Sequence, residues 1–349
     1  MRVPSQALLL VGSLAVGLGL AEGLVRGLRL VEYPPRLHQP DNANVYVMRP
    51  GFRGKTSRGI PIRVNAVGAR GPEVPVPKRD GTFRILLLGD SSAFGSGIRE
   101  EDSFGALLER ALNERGDGLR YEVLNFGTSG YNTVQERNLL EMKGPSLEPD
   151  LVLVAFFSND IDPFRVAGQI DPRRRALVRI KEAIRENLRL YPFLHGRIQR
   201  LRQRLAPARS TAAVLSAESP GFAEAIAALA DIRDLAASAG ARAFVVLLPK
   251  LEGLDGEYPL ARFDAEFLAA CAASGIPSAN LLPYFRGEDA VALWLRPDDG
   301  HPNERGHAII ARGIYREIGQ AGILPDTLSV VEKMLEREKN ERRILGYIR

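Results

Sequence analysis

Four short stretches carry residue types that could do covalent chemistry together. Gly89-Asp90-Ser91-Ser92 ends one apolar run, Asn125-Phe126-Gly127-Thr128-Ser129-Gly130 ends a second, and Phe157-Ser158-Asn159-Asp160 ends a third. Far downstream lies Asp298-Asp299-Gly300-His301-Pro302-Asn303. Together they supply a hydroxyl at a strand-to-helix turn, amide donors near it, and an imidazole with carboxylates beside it in sequence, which are the parts of nucleophilic acyl transfer. A serine hydroxyl is a poor nucleophile at neutral pH. An imidazole must take its proton while a carboxylate holds the ring tautomer and stabilises the imidazolium. Each stretch alone has a plainer reading: Ser91 as a helix N-cap, Gly127 and Gly130 as turn glycines, Asn159 and Asn303 as caps. Chemistry is favoured because the pieces fall, in one order, where a single pocket would lie.

The elements that must position them follow from the apolar pattern. The runs FRILLLG, YEVLNFG, DLVLVAFF and ARAFVVLL alternate with helical stretches near 103–115, 133–142, 221–238 and 260–273, and a last helix follows His301. Apolar strands alternating with helices predict an α/β fold, a parallel sheet covered on both faces in three layers. Ligands of such sheets sit beyond the carboxyl ends of the strands, where the Ser, Gly and Asn blocks stand.

Around this unit, 82–325, the chain divides further. Residues 1–32 read as a signal anchor or signal peptide: Arg2 precedes a stretch from position 3 to 21 without a charge, and the apolar pattern continues past Glu22 through Leu24, Val25 and Leu28 with Arg26 and Arg29 placed to snorkel. An uncleaved transmembrane helix is the expectation, with cleavage after the small residues near Ala21 as the alternative. Either puts the α/β unit outside the cytoplasm, periplasmic or at the cell surface, and secreted if the segment is cut. Residues 33–81 read as a linker and small β element, and 326–349 as a charged C-terminal helix.

Charge is concentrated in one place. Positions 165–209 hold thirteen Lys+Arg against three Asp+Glu, so the net charge of +5 belongs to that segment and the remainder is acidic. It lies in an insertion, 163–220, that reads as two amphipathic helices broken near Pro192, either a lid or a helical bracket. Neither interleaved aromatics nor a recognition motif accompanies the arginines, so the expectation is no nucleic acid, and a solvated face or contact with an anionic membrane. One cysteine, Cys271, excludes a disulfide framework within the chain and reads as a small buried hydrophobe. With four histidines, metal catalysis is not expected, and neither is a cofactor.

The four blocks resemble the GDSL, or SGNH, hydrolase family over about 83–320. The resemblance implies a flavodoxin-like three-layer fold and serine esterase or acylhydrolase activity on carboxylic esters, O-acetyl groups among them. It implies Ser91 as nucleophile, His301 as base and Asp298, three residues before it, as the carboxylate of a D-x-x-H turn. The backbone N–H groups of Ser91 and Gly130 with the Asn159 amide would form the oxyanion hole. The substrate would be an acylated small molecule, glycan or lipid ester. If a sugar hydroxyl replaces water, the same site is an O-acyltransferase. Ser92 stands where the family has Leu, and Phe157 where it has Gly, which would crowd the acyl side and favour a short acyl group.

Rival readings are weaker. The nucleophile motif Gly-x-Ser-x-Gly fails at Ala93, and a P-loop fails because no Lys follows the glycine turn. A membrane-tethered binding module that keeps the fold without turnover is the alternative from a different class.

Overall fold

The computed structural model of the chain describes residues 5–28, 37–161 apart from 42, 57 and 58, a few positions between 188 and 198, and 219–325 apart from 298. The four apolar runs become strands β5 (Thr82–Gly89), β6 (Arg120–Asn125), β7 (Leu151–Phe156) and β8 (Arg242–Leu247), joined by a short β9 (Ser278–Asn280). They form one parallel sheet in the spatial order β6-β5-β7-β8-β9. Every residue of β5 and β7 is buried. That explains why these strands read as unbroken apolar runs, since a sheet covered on both faces offers no wet side for a polar alternate.

The order reverses at β5. The chain goes from β5 to β6 on one side and then back across to β7 on the other, and right-handed crossovers put the connecting helices on opposite faces. Helix α3 (Phe104–Asn113) accordingly packs against the last helix, α7 (Glu304–Gln320), while α4 (Thr133–Leu147) packs against α5 (Pro220–Ser238). Helix α6 (Ala261–Ala273) carries Cys271, fully buried as expected. The reversal opens a crevice between the carboxyl ends of β5 and β7, so the blocks ending in Ser91 and Asn159 meet there.

Helix ends follow their caps. Ser103 Oγ accepts the Ala106 N–H at the start of α3, and Asn132 and Gln135 form a reciprocal capping box at the start of α4. Helix α4 runs five residues beyond the expected end and carries Pro145 in its last turn; Glu148, in the left-handed region at φ 49°, stops it.

Upstream of the sheet, the expected small β element is two antiparallel hairpins, β1 (His38–Asp41) with β2 (Val45–Met48) and β3 (Arg53–Lys55) with β4 (Pro61–Arg63). The amino-terminal segment forms α1 (Ser5–Gly27), with Leu9 and Leu20 exposed and Glu22 ion-paired to Arg26. Glu22 also accepts the backbone N–H groups of Arg189 and Leu190. Among the described residues no helix is long and apolar enough to cross a membrane, so the expected transmembrane anchor is not found. Nearly all of the 163–220 insertion, with its basic 165–209 stretch, and the 326–349 segment lie outside the described residues.

Candidate active site

Strand β5 must turn sharply into a helix to present Ser91. Gly89 makes this possible: its φ is +150°, and a Cβ there would stand 2.6 Å from Ala93 Cβ and 3.0 Å from the Ala155 carbonyl oxygen. The four-residue helix α2 (Ser91–Phe94) follows, and its cap is Asp90, whose Oδ1 accepts the Ser92 N–H at 2.7 Å. Ser91 is therefore the first residue of the helix and not its cap, which leaves its hydroxyl free for other work.

That hydroxyl meets the fourth block. Ser91 Oγ lies 2.8 Å from His301 Nε2, and His301 Nδ1 lies 2.6 Å from Asp299 Oδ1. A carboxylate can only accept, so the ring proton sits on Nδ1 and Nε2 is left to accept from the serine. His301 stands on β11 (Asp299–Pro302), paired antiparallel with β10 (Trp294–Arg296) through a register irregularity. Asn303 Nδ2 donates to the Ala292 and Trp294 carbonyls while Oδ1 caps α7, fixing the hairpin to the helix. The carboxylate on the ring is Asp299, two residues before the histidine. Asp298, the expected partner, lies outside the described residues. The Asp299 side chain folds back to its own strand, accepting the His301 N–H at 3.3 Å as well, and its Oδ2 is 3.6 Å from Arg296 Nη2.

The third block brings Asn159 to the same place. Asp160 Oδ2 accepts the Phe157 N–H at 2.7 Å, closing a tight turn after β7 that holds Asn159 over the crevice. The Asn159 amide donates to Asp90 Oδ2 at 3.2 Å, the oxygen that Ser91 Oγ approaches at 3.3 Å. Asp90, Ser91, Asn159, Asp299 and His301 share one cleft of about 610 Å³, with Phe157, Leu248, Leu251, Phe285 and Trp294 in its walls.

Gly130 behaves differently. It stands on the loop after β6 with φ 81°, and it is not one of the described residues that line this cleft. Its loop is nevertheless pressed onto the turn that carries Ser91, because a Cβ on Gly127 would overlap the Phe94 nitrogen and stand 2.5 Å from the Ala93 carbonyl carbon. Asn125 adds a tie, donating to the Ala93 carbonyl at 2.8 Å and accepting the Gly127 N–H at 2.9 Å. Gly127→Ala is expected to push the loop off the turn, costing about 1–3 kcal/mol of stability and at least a tenfold loss of turnover. Urea unfolding beside steady-state kinetics checks it; a variant that matches the parent in both would show the approach to be slack.

One buried acid escaped the sequence reading. Glu136, in the first turn of α4, is 1% exposed, and neither carboxyl oxygen has a hydrogen-bond partner among the described residues. Burial first, and the neighbouring Asp90 charge second, hold its carboxyl well above the ordinary value of 4.5, so it keeps its proton. Because the folded state then binds that proton more tightly than the unfolded chain, stability falls as pH rises above the ordinary carboxylate range. Glu136→Gln is expected to flatten this fall between about pH 5 and about pH 8 in denaturant titrations. An unchanged slope would show that Glu136 is ionised. An acid in the first turn of a helix usually faces solvent, so nothing in the sequence marks this one.

His307, on α7, is buried: Nδ1 accepts the Phe104 N–H at 3.1 Å and the ring stacks on Phe104. Burial, then the charges of Arg70 and His301, push it down to about 3, so it is a neutral structural group. Among the described residues no cluster of acids, histidines and cysteine could hold a metal ion.

Residues 87–309 match the profile described as the GDSL-like Lipase/Acylhydrolase family. Solved structures similar to this chain include TesA, 18% identical with a TM-score of 0.43 over 69% of this chain and 99% of that one. Another is Axe2, an acetylxylan esterase from Geobacillus stearothermophilus, 18% identical with a TM-score of 0.43 over 68% and 94%. A third is LAE5, an alpha/beta hydrolase enzyme from the metagenome of Lake Arreo, Spain, 16% identical with a TM-score of 0.42 over 68% and 95%. Among curated proteins none matches.

Proposed function

This chain belongs to the GDSL-like lipase/acylhydrolase family, whose members cleave esters with a serine, and on that premise we propose that Ser91, His301 and Asp299 carry its turnover. The observation that supports this reading is the unbroken relay from Ser91 Oγ through His301 to Asp299, at 2.8 and 2.6 Å. His301 Nε2 takes the hydroxyl proton as Ser91 Oγ bonds to the ester carbonyl carbon, and Asp299 stabilises the imidazolium that forms. The carbonyl oxygen becomes an oxyanion held by the N–H groups of Ser91 and Gly130 and by the Asn159 amide. Losing one such donor typically costs about 10²–10³ in turnover. His301 then protonates the leaving alkoxide, and water, activated by the same nitrogen, releases the acyl group from Ser91.

The substrate is an ester with a short acyl group such as acetyl. Phe157, on the cleft wall two residues from Asn159, narrows the acyl side, and the larger alcohol part lies along Leu248, Leu251 and Trp294. The alcohol is the hydroxyl of a glycan or another exported molecule, and the amino-terminal segment directs the chain out of the cytoplasm. No cofactor enters this mechanism.

Hydrolysis of p-nitrophenyl acetate and octanoate by the full chain tests the reading. Acetate should be cleaved with the higher kcat/KM, and anionic vesicles should not change the ratio. Faster octanoate cleavage that rises with anionic vesicles would replace a glycan ester by a lipid ester, and labelling of Ser91 without turnover would point to acyl transfer.

A further inference from the structure

The stretch shared with the family begins at residue 87, yet two side chains before it grip the catalytic loops. We infer that Tyr46 and Arg70 are positioning residues of the active site, Tyr46 aiming the Gly130 N–H and Arg70 fixing the turn that carries Ser91. The inference rests on the reading of Gly130 as an oxyanion donor.

Tyr46, on β2, donates its hydroxyl to the Ser129 carbonyl at 2.8 Å. That carbonyl and the Gly130 N–H belong to one peptide group. The group is planar and trans, so its C=O and N–H point in opposite directions, and holding the oxygen sets the direction of the N–H. The Gly130 N–H has no acceptor among the described residues. Gly130 fits under the ring closely, since a Cβ there would stand 3.0 Å from the Tyr46 hydroxyl. The tyrosine is itself braced: its backbone carbonyl accepts the Tyr131 hydroxyl at 2.5 Å, and the two rings lie 5.5 Å apart. Ser96 Oγ, just past α2, adds a 3.1 Å bond to Ser129 Oγ.

Arg70 works from the other side. Its backbone N–H donates to the Asn125 carbonyl at 2.7 Å, which pins its stem to the end of β6. From there the guanidinium reaches carbonyls that a four-residue helix cannot satisfy: Nη1 donates to Phe94 and to Gly95 at 2.8 Å, and Nη2 to Ile98 at 2.8 Å. Arg70 is 3% exposed and stacks over the Phe94 ring at 4.7 Å. A lysine keeps the charge but cannot span three acceptors with one planar fork.

Tyr46→Phe and Arg70→Lys, with Lys143→Met as control, test the inference. Lys143 ties the same amino-terminal element to α4, through the Val67 carbonyl at 2.8 Å, away from both loops. Tyr46→Phe is expected to lower kcat for p-nitrophenyl acetate about tenfold, below the full loss of a donor, with KM within about twofold, and to speed amide exchange across 127–132. Arg70→Lys should lower kcat similarly, and Lys143→Met should leave kcat and that exchange unchanged. Tyr46→Phe turnover within twofold of the parent, or an equal loss in Lys143→Met, would overturn the inference. Should the parent hydrolyse no ester, the proposed function fails on its own account. Exchange at 127–132 then judges the clamp: acceleration in Tyr46→Phe alone upholds it, and no change overturns it.

Discussion

Replacing Ser91 by alanine is expected to lower ester turnover by about 10⁴-fold or more, with the unfolding transition nearly unchanged. His301→Ala should cost about as much, and the double variant hardly more than either, because nucleophile and base act as one unit and their effects do not add. The geometry carries this expectation: Oγ approaches Nε2 at 2.8 Å, closer than its 3.3 Å contact with Asp90 Oδ2, and among the described residues no second histidine is placed to replace His301. His307, six residues on, is buried and already engaged with Phe104. Initial rates with p-nitrophenyl acetate on the three variants, beside their thermal transitions, make the check. Additive losses, or substantial turnover without Ser91, would show that the hydrolysis occurs elsewhere.

The second large effect distinguishes two adjacent carboxylates. Asp299→Asn is expected to lower kcat by about 10⁴-fold, since an amide facing Nδ1 can donate and so turn the ring to the tautomer whose Nε2 carries the proton. Asp298→Asn is expected to cost less than about tenfold, because Asp299 already occupies Nδ1 at 2.6 Å. Parallel kinetics of the two variants decide it. A larger loss in Asp298→Asn would return the ring to the spacing that the D-x-x-H resemblance suggests.

That pair of residues marks the limit of what local sequence could tell. Two carboxylates in a row both satisfy a short-range reading, and the one that meets the His301 ring at 2.6 Å, Asp299, stands on a hairpin whose register shifts between Trp294 and Arg296, which no spacing rule anticipates. The sheet was legible for the opposite reason. In β5 and β7 burial on both faces leaves one solution for the sequence, an unbroken apolar run, and the candidate site residues then stand at the ends of those runs, at the reversal of strand order. Ser91, Asn159 and His301 meet at one cleft on that account.

Tyr46 and Arg70 were illegible because their work is long-range. The Tyr46 bond to Ser129 spans 83 residues and leaves no periodic trace in a stretch that reads as linker. Glu136 was hidden by its type, a charged residue at a position where helices usually carry one.

Labelling with a fluorophosphonate, followed by mass spectrometry of the digested chain, tests the central claim most directly. An activated serine attacks phosphorus where an ordinary hydroxyl does not, so the reagent reports the relay without any assumption about the natural ester. One adduct per chain is predicted, on the peptide containing Ser91, abolished in Ser91→Ala and strongly slowed in His301→Ala and Asp299→Asn. No adduct on the folded chain, or an adduct that persists in Ser91→Ala, would contradict the account.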